Sequence, residues 1–192
     1  MGHVNLKPEV MQLTDGVVEL RPWTTNDASF LLDTCRDAEI RRFWLRQPLE
    51  TLDDAIAMIE AFAASWAEYR KSGTMKRLAF LVADDASGAP LGLCGVDEWF
   101  ADDSVQIGYF LAAGVRGKGY TTRAVQLLTT WLLKLGAAKV FATTDPLNVA
   151  SIAVLRRAGF AHETRLRESG THDGEEYNAM YAYTPDSDSP PA

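Results

Sequence analysis

Cysteine is nearly absent from this chain of 192 residues: Cys35 and Cys94 are the only two. Two thiols in this length make no disulfide framework, which points to a reducing, cytoplasmic setting. Histidine is also sparse. His3, His162 and His172 lack the spacing of a ligand set, so no metal is expected. The sequence has no apolar run of the ~18 residues that would span a bilayer, so no membrane partner is expected. The opening Met1-Gly2-His3-Val4-Asn5-Leu6-Lys7 lacks the apolar core of a signal peptide. A basic excess is missing too. Nineteen Lys and Arg stand against 26 Asp and Glu, a formal net charge of -7. That balance excludes nucleic acid as the main partner and suits a cationic substrate such as an amine.

What remains is an ordinary globular composition, 47% hydrophobic and 23% charged, of a size that fits one domain. A strand is expected at Val17–Arg21. Thr24 or Thr25 then caps a helix through Cys35, and a second helix covers Thr51–Lys71, where Ala55, Ile56, Ile59, Ala63 and Trp66 recur at helical spacing. Two apolar runs, Leu78–Ala83 and Pro90–Val96, flank the turn Asp84–Gly88 and read as a hairpin. A third long run, the fourth strand, follows at Ser104–Ala112. Ala124, Leu127, Leu128, Trp131, Leu132 and Leu135 then mark an amphipathic helix with Gly136 past its end. After it come a strand at Lys139–Thr143, a short helix at Val149–Ala158 capped by Asn148, and strands at Ala161–Arg167 and Glu176–Tyr183. The order β-α-α-β-β-β-α-β-α-β-β specifies an α+β domain with one central sheet. The tail Thr184–Ala192 is polar and proline-rich, as in disordered segments.

The most informative stretch is Val115-Arg116-Gly117-Lys118-Gly119-Tyr120-Thr121-Thr122-Arg123-Ala124. A strand enters a glycine-rich basic turn, and the turn opens a helix. Unpaired backbone amides and the positive end of a helix dipole then converge on one place, which favours a phosphate. Two glycines let a ligand approach the backbone. A second motif, Asn148-Val149-Ala150-Ser151 through Gly159-Phe160, lies about 30 residues downstream. Asn148 and Ser151 sit at the start of a helix, and Gly159 closes it.

Together these motifs, in this order and on these elements, resemble the GNAT family, the GCN5-related N-acetyltransferases. Glu19-Leu20-Arg21-Pro22 followed by Asp27 is similar to the branch that includes the bacterial ribosomal-protein N-terminal acetyltransferases. The resemblance covers about residues 15–183, leaving 1–14 as an N-terminal extension and 184–192 as the tail. It implies a mixed sheet of about seven strands, helices on both faces and a splayed strand pair at the cofactor site.

It also implies acetyl-CoA as donor, with direct transfer to a primary amine and no covalent enzyme intermediate. The pyrophosphate would rest on the turn Arg116, Gly117, Lys118, Gly119, Tyr120, Thr121 and Thr122. Backbone groups of Phe110, Leu111 and Ala112 would hold the pantetheine and polarise the thioester carbonyl, and Asn148 would contact the same arm. The family often carries Gln or Arg three residues before the first glycine. That position is Gly114 here, and Arg116 is read as the basic contact.

The leaving thiolate needs a proton, and Ser151 is the candidate donor. An alkyl amine has a pKa around 10 and must lose a proton before it attacks. Glu168, Asp97 and Glu98 are the candidate bases, with Glu168 first. Trp44, Trp66 and Trp99 are candidate walls of the acceptor pocket, Trp99 foremost. The arginines at 36, 41, 42 and 46 read as a solvated face.

The branch makes a protein or peptide N-terminal α-amine the first acceptor class. A polyamine, an amino acid or an aminoglycoside-like antibiotic is the second. A non-catalytic acyl-CoA sensor would show a broken phosphate turn, and this turn is intact. The resemblance also admits a homodimer through the last strands.

Overall fold

The computed structural model describes residues 12–44, 49–168 and 176–183, with side chains through Ala161. One sheet of eight strands runs through it: β1 (Leu13–Thr14), β2 (Val18–Pro22), β3 (Leu78–Asp84), β4 (Pro90–Trp99), β5 (Ser104–Leu111), β6 (Lys139–Thr144), β7 (Ala161–Glu168) and β8 (Glu176–Tyr183). Their spatial order is β1-β2-β3-β4-β5-β6-β8-β7. Seven are full strands, as expected. The eighth is a two-residue edge formed by Leu13 and Thr14, which the sequence reading assigned to the N-terminal extension. The sheet is antiparallel except where β5 meets β6.

Among the described residues, five α-helices cover the sheet: α1 (Ala28–Cys35), α2 (Ala38–Phe43), α3 (Leu52–Ser72), α4 (Tyr120–Lys134) and α5 (Val149–Arg157). Among the described residues, no helix is long and apolar enough to cross a membrane. Local chemistry sets the helix bounds. Thr51 caps α3 by accepting from the Asp54 amide at 3.2 Å, and Asp54 returns the bond to the Thr51 amide at 2.8 Å. Gly73 ends α3 in the left-handed conformation, φ 70°. Helix α2 is absent from the sequence reading. It has six residues, of which only Ile40 is buried, so it shows no apolar period. Asp37 caps it, accepting from the amides of Glu39 and Ile40 at 3.0 and 3.2 Å.

Hydrophobic packing covers both faces. Phe80, Ile107, Leu111 and Val140 pack with Ala124, Leu128 and Leu132 of α4 on one face. On the other, Leu81, Leu93 and Phe110 pack with Leu31 of α1 and Ala55 and Ile59 of α3. With helices on both sides, β3 reads Leu-Ala-Phe-Leu-Val-Ala without polar alternation.

One feature of the sheet positions the site. β5 pairs with β4 from Val105↔Trp99 to Leu111↔Gly92. It pairs with β6 only at Ser104↔Lys139, Val105↔Val140 and Gln106↔Phe141. Past Gln106 the two parallel strands diverge, and β6 continues along β8. This is the splayed pair that the resemblance implies. At the fork, Gln106 Nε2 donates to Thr143 Oγ1 at 3.2 Å.

Candidate active site

The glycine turn and the fork lie next to each other because β5 leads from one to the other. A 3₁₀ turn at Ala113–Val115 links them. Gly117 and Gly119 both adopt positive φ, 79° and 83°, which non-glycine residues rarely tolerate. Gly119 occupies the N-cap of α4 without a side-chain cap, and the first helical bond runs from the Arg123 amide to Gly119 O at 3.2 Å. Among the described residues, no acceptor meets the amides of Gly117, Lys118, Gly119, Tyr120, Thr121 or Thr122. Six consecutive free N–H groups at the positive end of a helix form an anion cradle. A Cβ at Gly114, Gly117 or Gly119 would meet nothing within 4 Å, so the cradle is open to a group as wide as a pyrophosphate.

Arg116, read as the basic contact, has other partners. Its Nε donates to Leu111 O at 3.0 Å, and its terminal nitrogens pair with Asp37 at 2.9 Å and with Glu39. Its own amide bonds Ala113 O. Arg116 therefore fixes the turn to β5 and α2, and the cradle is made of the amides that follow it. Burial works to raise the Asp37 carboxyl, but the Arg116 guanidinium and the α2 amides outweigh it and hold that group below the usual range.

On β5 the alternation of an antiparallel pair decides which backbone groups face the fork. The Ala112 amide donates to Leu91 O at 2.9 Å, toward β4. Phe110 shares that direction. Tyr109 and Leu111 therefore turn their N–H and C=O groups toward the split, and Leu111 O already accepts from Arg116.

Across the split stands the start of α5. Asn148 Oδ1 accepts from the Ser151 amide at 3.0 Å, so Asn148 caps the helix as its position suggested and keeps its Nδ2 donors. Ser151 Oγ lies 3.0 Å from the Tyr109 hydroxyl. Nothing in the sequence singles out Tyr109, which reads there as one more apolar strand residue. Burial pushes its phenol well above the ordinary value, against the pull of the Ser151 hydrogen bond, so Tyr109 stays protonated.

The three candidate carboxylates separate. Glu168 closes β7 opposite Glu176, and its side chain lies outside the described residues. Glu98 is exposed. Asp97 sits in a β-bulge between Val96 and Glu98 and is half-buried. Burial raises its carboxyl above the ordinary value, and Arg77 only partly offsets the shift.

The tryptophans separate as well. Trp44 packs edge-on against Phe110, with ring centroids 4.6 Å apart. Trp66 is core, packed on Phe80 at 4.8 Å. Trp99 lies at the end of β5 that remains joined to β6 and donates to Asp103. Of the arginine face, Arg36 pairs with Asp33, Arg41 with Glu50, and Arg42 lies over Phe43. Arg46 lies outside the described residues. Among the described residues, no cluster of three or more His, Cys, Asp or Glu could hold a metal.

The acetyltransferase (GNAT) domain family matches residues 18–161. The chain belongs to the GNAT family. Within it, the chain is 24% identical over 165 residues to the spermidine N(1)-acetyltransferase of Escherichia coli strain K12, covering 85% of this chain and 83% of that one. Its fold is similar to that of RimL, a ribosomal-protein alpha-N acetyltransferase solved in complex with coenzyme A. The TM-score is 0.77 at 19% identity, over 94% of this chain and 100% of that chain. Mycobacterium smegmatis RimJ, solved with a CoA disulfide, superposes with a TM-score of 0.73 at 21% identity, over 90% of this chain and 85% of that one. This chain is thus a GNAT acetyltransferase by family and by fold.

Proposed function

We infer that the protein moves the acetyl group of acetyl-CoA directly to a primary amine, through a ternary complex. The observation that carries this reading is the run of six unbonded amides from Gly117 to Thr122 beside the fork. The cradle suits the pyrophosphate, with the Thr121 and Thr122 hydroxyls at hand. The pantetheine would then lie in the split, along the Tyr109 backbone and the Leu111 amide, with Asn148 Nδ2 on the other side. Backbone N–H groups there are fixed before the reaction and stabilise the oxyanion of the tetrahedral intermediate. When the C–S bond breaks, Ser151 donates its proton to the departing sulfur. The unit that performs this is residues 15–183, with β1 added at its edge.

The first acceptor class is a protein or peptide N-terminal α-amine, supported by the likeness to RimL and RimJ. The second is a polyamine, supported by the spermidine acetyltransferase relative and by the net charge of -7. The test is CoA release from acetyl-CoA with separate pools of N-terminal peptides, polyamines and aminoglycosides. Release with one pool identifies the acceptor class. No release from any pool, while acetyl-CoA still raises the melting temperature, would replace the enzyme with an acyl-CoA sensor.

A further inference from the structure

The bulge at Asp97 faces the one β5 residue that leaves room for it. A Cβ built on Gly108 would lie 2.6 Å from Asp97 Oδ2, so the carboxyl occupies the space a side chain there would take. Gly108 shares its face of β5 with Phe110, by strand alternation. Phe110 carries Trp44 on that face, and the Gln106–Thr143 bond marks the fork one pleat away. The Asp97 carboxyl therefore lies beside the fork, on the side opposite the Tyr109–Ser151 pair. No side chain or amide of the described residues donates a hydrogen bond to it. Arg77 bonds only the Asp97 carbonyl, at 3.4 Å, and is the one charge among the described residues that acts on the carboxyl. The half-buried carboxylate, without a donor among the described residues, still reaches the surface and so is open to a ligand.

We propose that Asp97 is the base that takes the proton from the acceptor amine, and that position 108 is glycine to admit its carboxylate to the fork. This rests on the acetyltransferase reading above and assigns the role expected first of Glu168. The bound ammonium gives one proton to Asp97 Oδ2 and becomes a neutral amine. Its lone pair then forms the N–C bond to the thioester carbonyl carbon. The C–S bond breaks, and its electron pair leaves with sulfur. The second amine proton replaces the one that Ser151 gives to the thiolate, and Asp97 releases its proton to solvent. The products are amide, CoA thiol and one proton. A carboxyl whose pKa is raised is better matched to this transfer than an ordinary one, because proton affinity is what a base supplies.

The experiment uses the full chain, acetyl-CoA and whichever acceptor the wild type acetylates. Asp97→Asn is expected to lower kcat/KM about 100-fold or more, within the range for a lost general base. The melting-temperature shift given by acetyl-CoA should stay unchanged. The acid limb of the wild-type pH–rate profile should vanish in Asp97→Asn and persist, at a lower rate, in Asp97→Glu. The deficit should shrink for an acceptor analogue whose amine has a lower pKa, because such an amine arrives neutral. A structural role would leave both the acid limb and the dependence on the amine unchanged. Gly108→Ala, which crowds the carboxyl, should lower turnover while sparing acetyl-CoA binding.

An Asp97→Asn rate within threefold of wild type would overturn the proposal. So would a deficit that is the same at every pH and for every amine. Loss of the acid limb in Glu168→Gln with its retention in Asp97→Asn would return the role to Glu168. Failure of the wild type with every acceptor would count against the acetyltransferase reading instead.

Discussion

Tyr109 and Ser151 stand 42 positions apart in sequence, and their hydroxyls are 3.0 Å apart in space. Tyr109 stays protonated, and its hydroxyl holds Ser151 in place through that contact. Tyr109→Phe keeps the ring and removes both hydroxyl contacts to Ser151, to its Oγ at 3.0 Å and its carbonyl at 3.3 Å, at about 1 kcal/mol each. Turnover should fall several-fold with acetyl-CoA binding intact. Ser151→Ala should fall further, by about 100-fold, the scale of a lost general acid. The double variant should be no slower than Ser151→Ala, because Tyr109 acts through Ser151; additive losses would show a separate role. Asp97 makes a prediction of opposite sign for stability. Its carboxyl is raised in the fold, so its charged form is disfavoured there. Asp97→Asn should therefore melt no lower than wild type at pH 7, whereas a structural carboxylate would melt lower. The thiols are inert by burial, which pushes Cys35 up to about 11 and Cys94 higher still. Native protein at pH 8 should leave a thiol reagent unreacted until it is denatured, so the reagent reads released CoA alone.

At the scale of elements, the start of α4 and the fork in the sheet divide the work of binding. Gly119→Trp should abolish the acetyl-CoA melting shift by filling the cradle. Gly119→Ala separates occlusion from strain. A Cβ there meets nothing, so its cost is the left-handed backbone, about 1–2 kcal/mol. The alanine variant should melt lower yet keep measurable acetyl-CoA binding; equal loss in both would mean that backbone shape, not space, sets affinity. The cradle was legible in the sequence because glycines, a basic turn and an amphipathic helix are all local signals. Helix α4 was legible for the same reason, with Ala124, Leu128 and Leu132 buried where their spacing put them. Helix α2 was not, since six residues are too short to show a period. Nor were Tyr109, Gly108 and the Asp97 bulge, because each acquires its meaning from a partner brought in by strand pairing. Arg116 shows the converse. The local motif suggested a phosphate contact, but its guanidinium is taken by Asp37 and Glu39, 79 and 77 residues upstream.

Across the whole molecule, a few carboxylates join distant segments and set the response to acid. Asp15 meets Arg123 at 2.7 Å and Asp37 meets Arg116 at 2.9 Å. Asp27 accepts two bonds from Arg21, at 2.9 and 2.8 Å, and two from Thr24. Burial works to raise all three carboxyls, but the arginines and amides outweigh it, and each is held below its ordinary value. A depressed carboxyl contributes stability that is present above the unfolded value, about 3.9, and is lost as pH falls through the folded value. Asp97 has the opposite sign: its penalty exists at neutral pH and is relieved as it protonates, above the range where the others fail. The melting temperature should thus hold steady or rise slightly from pH 7 to about 5, then fall steeply below about 4. Asp27→Asn isolates one contribution. Its side chain is 9% exposed, and Asn would leave Arg21 half-buried without its countercharge, a cost of about 2 kcal/mol. For a chain of this length that is roughly 4–8 °C in Tm at pH 7. At pH 3 the wild-type carboxyl is itself losing its charge, so the gap between variant and wild type should narrow. A gap that stays constant from pH 7 to 3 would mean that the cap geometry at Thr24, not the charge on Asp27, holds β2 to α1.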